Sequence, residues 1–415
     1  MHTSTLDILR CPYCGGRLSL VTSLFNRTAG DEIRDGILGC HCCIFPVVDG
    51  IPVLHLLPPS VAARDHLEAK RPEQALRLMV GLENDQQAER FEAAAASDKS
   101  TYRDIVEALG PNFEGGYFLY RFSDPTYVVA NAVVRSVAGT VLHGARRAVD
   151  ICGGSGHLTR ALMELSSPAP VLADLFFAKV WLARRFTAAG CEPICCDGNA
   201  PMPFARGAFA YAMCSDAFQY IWTKRQFVGE MTRLVDAPGE PGAVVINHTH
   251  NALTWCPSHG QPLDPAGYVD LFETVEPRIY GEAGLFADVV KGGPLDLTRR
   301  DSKDALDRDP ALTIVATRHP GVFKTHVLDT PREARGAFRV NPLYETEQKG
   351  DRLSLKLHFP SADYEEEYGA CRQYLPDETS IDVAALRALD AGQHSEGVDE
   401  LIRRRVIVDL PNKYY

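Results

Sequence analysis

Residues 147–166 read Arg-Ala-Val-Asp-Ile-Cys-Gly-Gly-Ser-Gly-His-Leu-Thr-Arg-Ala-Leu-Met-Glu-Leu-Ser. A short apolar run (Ala148, Val149, Ile151) leads into a glycine-rich turn at Gly153, Gly154 and Gly156, and an amphipathic helix follows. Glycines let a backbone approach a ligand with no Cβ in the way, and a helix N-terminus presents unpaired N–H groups. Such a turn is weak evidence by itself, so the residues downstream decide its meaning. A second apolar run, Pro170–Ala173, ends in Asp174, 24 residues after Asp150. A carboxylate there can accept both hydroxyls of a ribose. A third run, Glu192–Cys196, ends in Asp197-Gly198-Asn199, and a fourth, Phe209–Cys214, ends in Ser215-Asp216. A helix over 223–235 and a fifth strand over 242–247 complete the series. Strands alternating with helices of this length predict a doubly wound α/β domain with its ligand at the carboxyl ends of the strands. A dinucleotide-binding dehydrogenase would need G-x-G-x-x-G, and the glycine spacing does not supply it.

This ordered set resembles the class I S-adenosylmethionine-dependent methyltransferases over residues 126–319. Their first motif is an acidic residue followed by G-x-G-x-G. Asp150, Gly154 and Gly156 fall on matching positions, while Cys152 stands where the first glycine would be and Gly153 lies between. The resemblance implies a Rossmann-like methyltransferase sheet and S-adenosyl-L-methionine as cofactor. It also implies that Asp174 holds the ribose with Leu175 next to it, and that Asp197 contacts the adenine amino group. Gly198 and Asn199 would flank the ring, with Ser215 and Asp216 beside the methionyl end.

Methyl transfer from a sulfonium is an in-line displacement, so the protein positions the nucleophile, excludes water and supplies a base where the nucleophile is protonated. Asn247-His248-Thr249-His250-Asn251, just past the fifth strand, is the richest polar cluster near the expected pocket. Histidine titrates in the right range, and residues i and i+2 of an extended segment share a side. His248 and His250 are therefore the candidate bases, with Asp216 and Tyr220 as further catalytic candidates and Gln219 and His157 behind them. The aromatic stretch 115–127 reads as a lid over a ligand or as a packing strip. In the first case Tyr117, Tyr120 and Tyr127 would wall the pocket.

Four of the twelve cysteines form two knuckles, Cys11-Pro-Tyr-Cys14 and Cys40-His-Cys-Cys43. Two C-x2-C turns about 25 residues apart can aim four thiolates at one tetrahedral zinc ion. The C-x2-C spacing selects Cys43 as the fourth ligand, with Cys42 as the alternative. Residues 6–54 resemble the small zinc-ribbon domain that activates tRNA and release-factor methyltransferases, most specifically in the ending Asp49-Gly-Ile-Pro-Val-Leu54. The resemblance implies a structural zinc and a docking role. Cys152, Cys191, Cys195, Cys196 and Cys214 read as core packing, because alternation puts Cys195 and Cys196 on opposite faces of one strand.

The chain of 415 residues thus divides into a zinc ribbon (1–57), a helical connector or lid (58–125), a methyltransferase domain (126–319) and a C-terminal α+β accessory module (320–415), faintly winged-helix-like. Phe286–Val290 and Leu312–Thr317 are expected to close the main sheet. In the accessory module, strands are expected over 338–344 and 353–359, helices over 381–389 and 398–405, and a last strand over 406–410. Arg403-Arg404-Arg405 is its dense basic triplet.

Lys plus Arg number 43 against 54 Asp plus Glu, a net charge of −11. That balance argues against a surface built to grip nucleic acid, because phosphate neutralisation needs a cationic footprint. The expected substrate is a small molecule or a carrier- or peptide-bound intermediate of specialised metabolism. RNA or protein substrates docked through the ribbon are the second reading, and a non-catalytic cofactor-binding scaffold the third. No apolar signal core and no bilayer-length apolar run occur, so a cytoplasmic protein with no membrane partner is expected. Oligomeric state is not legible.

Overall fold

Seven strands form the central sheet: β1 (Arg147–Ile151), β2 (Val171–Asp174), β3 (Glu192–Cys195), β4 (Phe209–Ser215), β5 (Ala243–His250), β6 (Arg278–Gly281) and β7 (Ala311–Thr317). Their spatial order is β6-β7-β5-β4-β1-β2-β3. β1 to β5 run parallel, and β7 runs antiparallel to both β5 and β6. This is the doubly wound methyltransferase sheet. The computed structural model describes residues 1–110, 113, 115–256, 260–329 and 333–415, so short pieces of the expected connector, methyltransferase and C-terminal segments lie outside the described residues.

The strands are strands because they are apolar on both faces. In β4 every residue from Phe209 to Cys214 is buried, the pattern of a sheet covered on both sides. The chain steps outward through β2 and β3 on one side of β1 and through β4 and β5 on the other. The carboxyl ends of β1 and β4 are therefore the topological switch point, where such sheets bind ligands. Asp150 pairs in register with Met213, which sets the turn after β1 beside Ser215 and Asp216.

The closing pair differs from expectation. Phe286–Val290 lies in a helix, Glu282–Val290, and the sheet takes Arg278–Gly281 as β6 instead. Leu285, Phe286, Val289 and Val290 carry helical spacing, and a short apolar run does not by itself distinguish the two states.

The N-terminal ribbon is an antiparallel sheet of Ser19–Leu20, Arg27–Ala29, Glu32–Gly39, Ile44–Val48 and Ile51–Pro52. Past Pro52 the chain joins the main sheet: Val53 bridges Cys195 in parallel, and the Leu54 N–H donates to the Cys195 carbonyl at 2.7 Å. A second seam runs through Leu9 and Phe204, with the Arg10 N–H on the Pro203 carbonyl at 2.9 Å. The Trp181 indole N–H donates to Asp49 at 2.8 Å, and the Arg184 guanidinium binds the Asp49 carbonyl and Glu32. Gly50 permits that clamp, since its φ is 76° and a Cβ there would meet Arg184 at 2.2 Å. One continuous apolar core results, in which Leu9, Leu38, Phe45 and Leu54 pack with Val149, Ile151 and Phe209.

The chain forms two compact units. The first is residues 1–90, 133–283 and 298–324; the second is 91–132, 284–297 and 325–415. The second contains a three-stranded antiparallel sheet (Tyr344–Lys349, Arg352–Leu357, Glu378–Asp382) and a strand pair (Ala337–Val340, Ile407–Leu410). The expected strand 338–344 breaks at buried Asn341, whose side-chain oxygen accepts the Leu343 N–H at 3.0 Å and whose amide donates to the Arg405 carbonyl at 2.9 Å. An asparagine that caps its own turn ends a strand.

The aromatic stretch is a packing strip within this unit. Tyr102 stacks on Tyr414 at 4.7 Å, the Tyr414 hydroxyl donates to the Phe118 carbonyl at 2.7 Å, and the Tyr374 hydroxyl donates to that of Ser123 at 2.7 Å. Tyr117 meets Tyr368, Tyr120 meets Tyr364, and Tyr127 meets Phe122. The basic triplet is likewise engaged locally: Arg403 with Glu400, Arg404 with the Tyr374 carbonyl, Arg405 with that of Phe122. Among the described residues no helix is long and apolar enough to cross a membrane.

The shared core makes a prediction. Phe45→Ala removes a buried ring and should cost about 3–5 kcal/mol. Calorimetry should show ribbon and α/β sheet moving together as one transition. A ribbon that melts separately would contradict the shared core.

Candidate active site

The turn after β1 is held by side chains rather than by space alone. The Gly154 N–H donates to Asp174 Oδ2 at 2.9 Å, and the Phe176 N–H donates to Asp174 Oδ1 at 2.8 Å. Asp174 at the end of β2 thus faces the turn across the strand gap. Asp150 is buried and accepts the Thr159 hydroxyl at 2.6 Å, while its other oxygen has no partner among the described residues. Burial chiefly, and the nearby Asp174 charge, push its carboxyl up to about 7 against the hydrogen bonds from Thr159. No side chain fits at Gly153, where a Cβ would lie 2.4 Å from Leu172 and 2.5 Å from Asp150.

Cys152 has a φ of 59°, the left-handed region, and Gly154 and Gly156 have 55° and 77°. The residue that replaces the motif's first glycine therefore keeps a glycine's conformation, at about 1–2 kcal/mol of strain. Its sulfur lies 3.3 Å from where a Gly198 Cβ would be, which keeps Gly198 small. Asn199 is a staple: its side-chain oxygen accepts the Trp222 N–H at 2.7 Å, and its own N–H donates to Asp197 at 2.8 Å. Leu175 offers its carbonyl to the Cys195 thiol at 3.2 Å. Cys191, Cys195, Cys196 and Cys214 are buried, and burial raises the Cys195 and Cys196 thiols well above their ordinary range.

On the other side of the switch point the structure brings Asp216, His248 and His250 together, with one ligand atom from each lying within 4.8 Å of the others. Tyr220 stands half exposed in the short turn 218–220, outside that cluster. The two imidazole centroids are 5.6 Å apart and nearly perpendicular. Simple strand alternation does not produce this. β5 is irregular between Ile246 and Thr249, and His248 has a φ of 48°. Such a bulge re-aims a side chain and is over-represented at sites.

Glu282 fixes the result. Its carboxylate is 2.7 Å from His248 Nδ1, accepts the His248 N–H at 2.8 Å and accepts the Thr313 hydroxyl at 2.8 Å. Burial opposes its charge, but His248 and these bonds outweigh that and lower its pKa. Burial first, then the neighbouring His248, lowers the pKa of His250, whose Nδ1 is 3.2 Å from the Cys256 sulfur. Sequence reasoning missed Glu282, because a partner 34 residues away is defined only once β6 and β5 lie near each other. Asn247, which the sequence placed in the cluster without a role, is buried with neither side-chain polar atom bonded among the described residues.

Exposed apolar side chains follow the strand ends in sequence: Phe176 after β2, Tyr220 and Trp222 after β4, Leu253 and Trp255 after β5. Trp222 and Trp255 are 70% and 75% exposed. Cavities lie elsewhere. One of about 530 Å³ is lined by Arg10, Arg206 and Arg233 at the ribbon seam, and one of about 780 Å³ reaches Gly242 and Thr317 at the opposite edge of the sheet.

Of the two alternatives for the fourth ligand, Cys42 is the one grouped with the other three. The sulfurs of Cys11, Cys14, Cys40 and Cys42 lie within 4.8 Å of one another, and the Cys43 sulfur is 3.3 Å from that of Cys42. Separations are 3.7 Å for Cys11–Cys42, 3.7 Å for Cys14–Cys40 and 3.5 Å for Cys40–Cys42. Cys43 directly precedes the strand Ile44–Val48 and packs against the apolar core, giving its N–H to the Cys40 sulfur at 3.3 Å. Burial opposes ionisation of Cys40, but the Cys42 and Cys43 N–H groups outweigh it and bring the thiol down to about 6. These four sulfurs could hold a metal ion.

No protein family model matches the chain, and no curated protein matches it. Solved structures similar to it include several methyltransferases and also a [4+2]-cyclase. One, an S-adenosylmethionine-dependent methyltransferase from Mesorhizobium loti, is 14% identical over 47% of this chain and 98% of its own, with a TM-score of 0.34. A geranyl diphosphate C-methyltransferase from Streptomyces coelicolor is 14% identical over 55% and 86%, with a TM-score of 0.34. A Haloferax volcanii complex of the Trm112 methyltransferase activator with a candidate methyltransferase gives 18%, 55%, 96% and 0.35 in the same order. The fold assignment rests on the strand order, not on these overlaps.

Two substitutions in the turn should act in opposite directions. Cys152→Gly relieves a left-handed side chain and should stabilise by roughly 0.5–1 kcal/mol after the entropy cost of glycine. Gly153→Ala should lower the unfolding midpoint by several degrees, because Leu172 and Asp150 occupy the Cβ position. A neutral Gly153→Ala would mean that the turn is not built as described.

Proposed function

We propose that the chain is an S-adenosylmethionine-dependent methyltransferase whose acceptor is a small molecule or a carrier- or peptide-bound group. The observation that carries this is the line of groups along the carboxyl edge of the sheet. Asp174 on β2 touches the Gly154 turn on β1, and Asp216, His248 and His250 follow on β4 and β5. From β2 to β5 is three strand spacings, about 14 Å. That suits a nucleoside at one end and an acceptor at the other. The cofactor supplies a methyl group on a sulfonium, open to in-line displacement.

Each residue has a task in this reading. Asp174 accepts the ribose hydroxyls, and Asp197 and Gly198 border the adenine. Ser215, whose hydroxyl lacks a partner among the described residues, meets the methionyl end. Where no ion is bound, His250, whose pKa burial lowers, is the candidate to take a proton from the acceptor. The apolar rim favours an acceptor with an apolar body over RNA, which needs cations at the mouth.

In the ribbon, a zinc ion on four thiolates at about 2.3 Å sets sulfur–sulfur edges of about 3.8 Å. The cysteine separations of 3.5–3.7 Å suit that tetrahedron. Full thiolate coordination leaves no open position, so the zinc is structural.

Isothermal titration with S-adenosylmethionine and S-adenosylhomocysteine tests the cofactor, and binding of neither sinks the enzyme reading. Asp174→Ala should weaken binding by roughly 1–3 kcal/mol, the scale for hydroxyls left unpaired. Elemental analysis tests the ribbon. Cys42→Ser should lose the zinc and Cys43→Ser should keep it; the reverse would restore the C-x2-C ligand set.

A further inference from the structure

The cluster beyond β4 and β5 holds more groups than a proton transfer needs. His248 with Glu282 is already a complete imidazole–carboxylate pair, at 2.7 Å. Yet a second imidazole, His250, and a second carboxylate, Asp216, stand beside His248, with one ligand atom of each of these three within 4.8 Å of the others. Two of the three donors, Asp216 and His248, sit on left-handed backbone, with φ of 55° and 48°. Each such position is strained and persists only where its surroundings impose it.

Glu282 is buried and also binds the His248 N–H and the Thr313 hydroxyl, so it cannot swing away. A carboxylate fixed behind an imidazole nitrogen is how proteins orient a metal-ligating histidine. Next to the cluster, buried Asn247 has both side-chain polar atoms unbonded among the described residues, as does the Ser215 hydroxyl. Such groups await a polar molecule.

We infer that Asp216, His248 and His250 form a divalent-metal site on the acceptor side of the cleft, and that the methyl acceptor carries a hydroxyl or carboxylate oxygen which the ion holds. The second half rests on the methyltransferase reading; the first does not. Two imidazoles and one carboxylate favour a first-row transition ion over magnesium or calcium, which prefer all-oxygen shells. Three protein donors leave positions open for an oxygen of the acceptor. Ligand atoms around such an ion stand about 3–3.5 Å apart, so the cluster draws in by about 1 Å on binding. Glu282 is a positioning residue, acting through His248.

The test uses the full chain with the ribbon's metal in place, titrated with Co²⁺ and followed by visible absorption and elemental analysis. One cobalt per chain beyond the ribbon's metal is expected, with weak nitrogen–oxygen ligand-field bands. Affinity should fall at least about a hundredfold in Asp216→Asn and His250→Gln, and about 10–100-fold in Glu282→Gln. Asparagine tolerates left-handed backbone, so Asp216→Asn keeps the fold. No cobalt beyond the ribbon's, or equal binding by wild type and Asp216→Asn, overturns the site. Catechol, a two-oxygen ligand, should shift the cobalt bands; an unchanged spectrum overturns the oxygen acceptor. S-adenosylmethionine titrated into the same samples separates the two readings. Cofactor binding without cobalt sinks the metal site alone. Cobalt binding without cofactor sinks the methyltransferase reading and leaves the metal site.

Discussion

A backbone hydrogen bond from the Leu54 N–H to the Cys195 carbonyl, 2.7 Å long, closes the outer edge of the main sheet. β3 is the last strand on that side and is buried throughout. An uncovered edge of this kind would offer unpaired N–H and C=O groups to any other chain. The ribbon supplies the missing neighbour and spreads its own apolar face under β2 and β3. What keeps Val53 and Leu54 in that register is local: the Gly50 turn, the Arg184 grip on the Asp49 carbonyl and the Trp181 bond to the Asp49 carboxylate. The cysteine knuckles in turn fix the sheet from which this segment emerges. The cysteine cluster therefore supports the two strands whose ends carry Asp174 and Asp197.

β1 to β5 and the order of their polar ends were legible because each strand is an unbroken apolar run followed at once by Asp, Gly or Ser. That is what burial on both faces forces. Legibility failed where the state of a residue is set by contacts far along the chain. Phe286–Val290 is apolar enough for either state, and only pairing of Arg278–Gly281 with β7 makes it a helix. Spacing favoured Cys43, whereas the Cys42 sulfur lies 3.7 Å from that of Cys11 and 3.5 Å from that of Cys40, placements that a spacing rule does not encode. The aromatic stretch 115–127 could be weighed as lid or packing strip but not decided, since its partners, Tyr364, Tyr368, Tyr374 and Tyr414, lie some 240 residues later.

Three non-glycine residues with left-handed backbone fall at the carboxyl ends of β1, β4 and β5: Cys152, Asp216 and His248. Helix–strand turns do not require this, since glycine could serve at each. Their strain is offset by bonds made beside them. The Asp216 N–H donates to the Asn247 carbonyl at 3.0 Å, and the His248 N–H donates to Glu282 at 2.8 Å. Four more such residues, Asp49, Lys70, Arg405 and Lys413, lie elsewhere among the described residues, so it is the grouping of three on one sheet edge that marks where side-chain placement outweighs stability. That edge is also where alternation misleads a reader of sequence, because the β5 bulge shifts His248 out of the pleat.

The two ligand-like clusters differ in a way that sorts structure from chemistry. In the ribbon, four cysteine sulfurs could between them fill a tetrahedral shell, so an ion held there would have nothing further to bind. At the strand ends, three harder donors meet with unbonded polar groups around them and an apolar rim outside. A metal site that keeps positions open is one that takes a substrate. The acidic balance of the chain fits the same division. With a net charge of −11, the long-range field would repel a polyanion rather than gather it. On the proposed reading an acceptor would be recognised by short-range contact instead: apolar surface against Trp222 and Trp255, and an oxygen against the histidine–aspartate cluster.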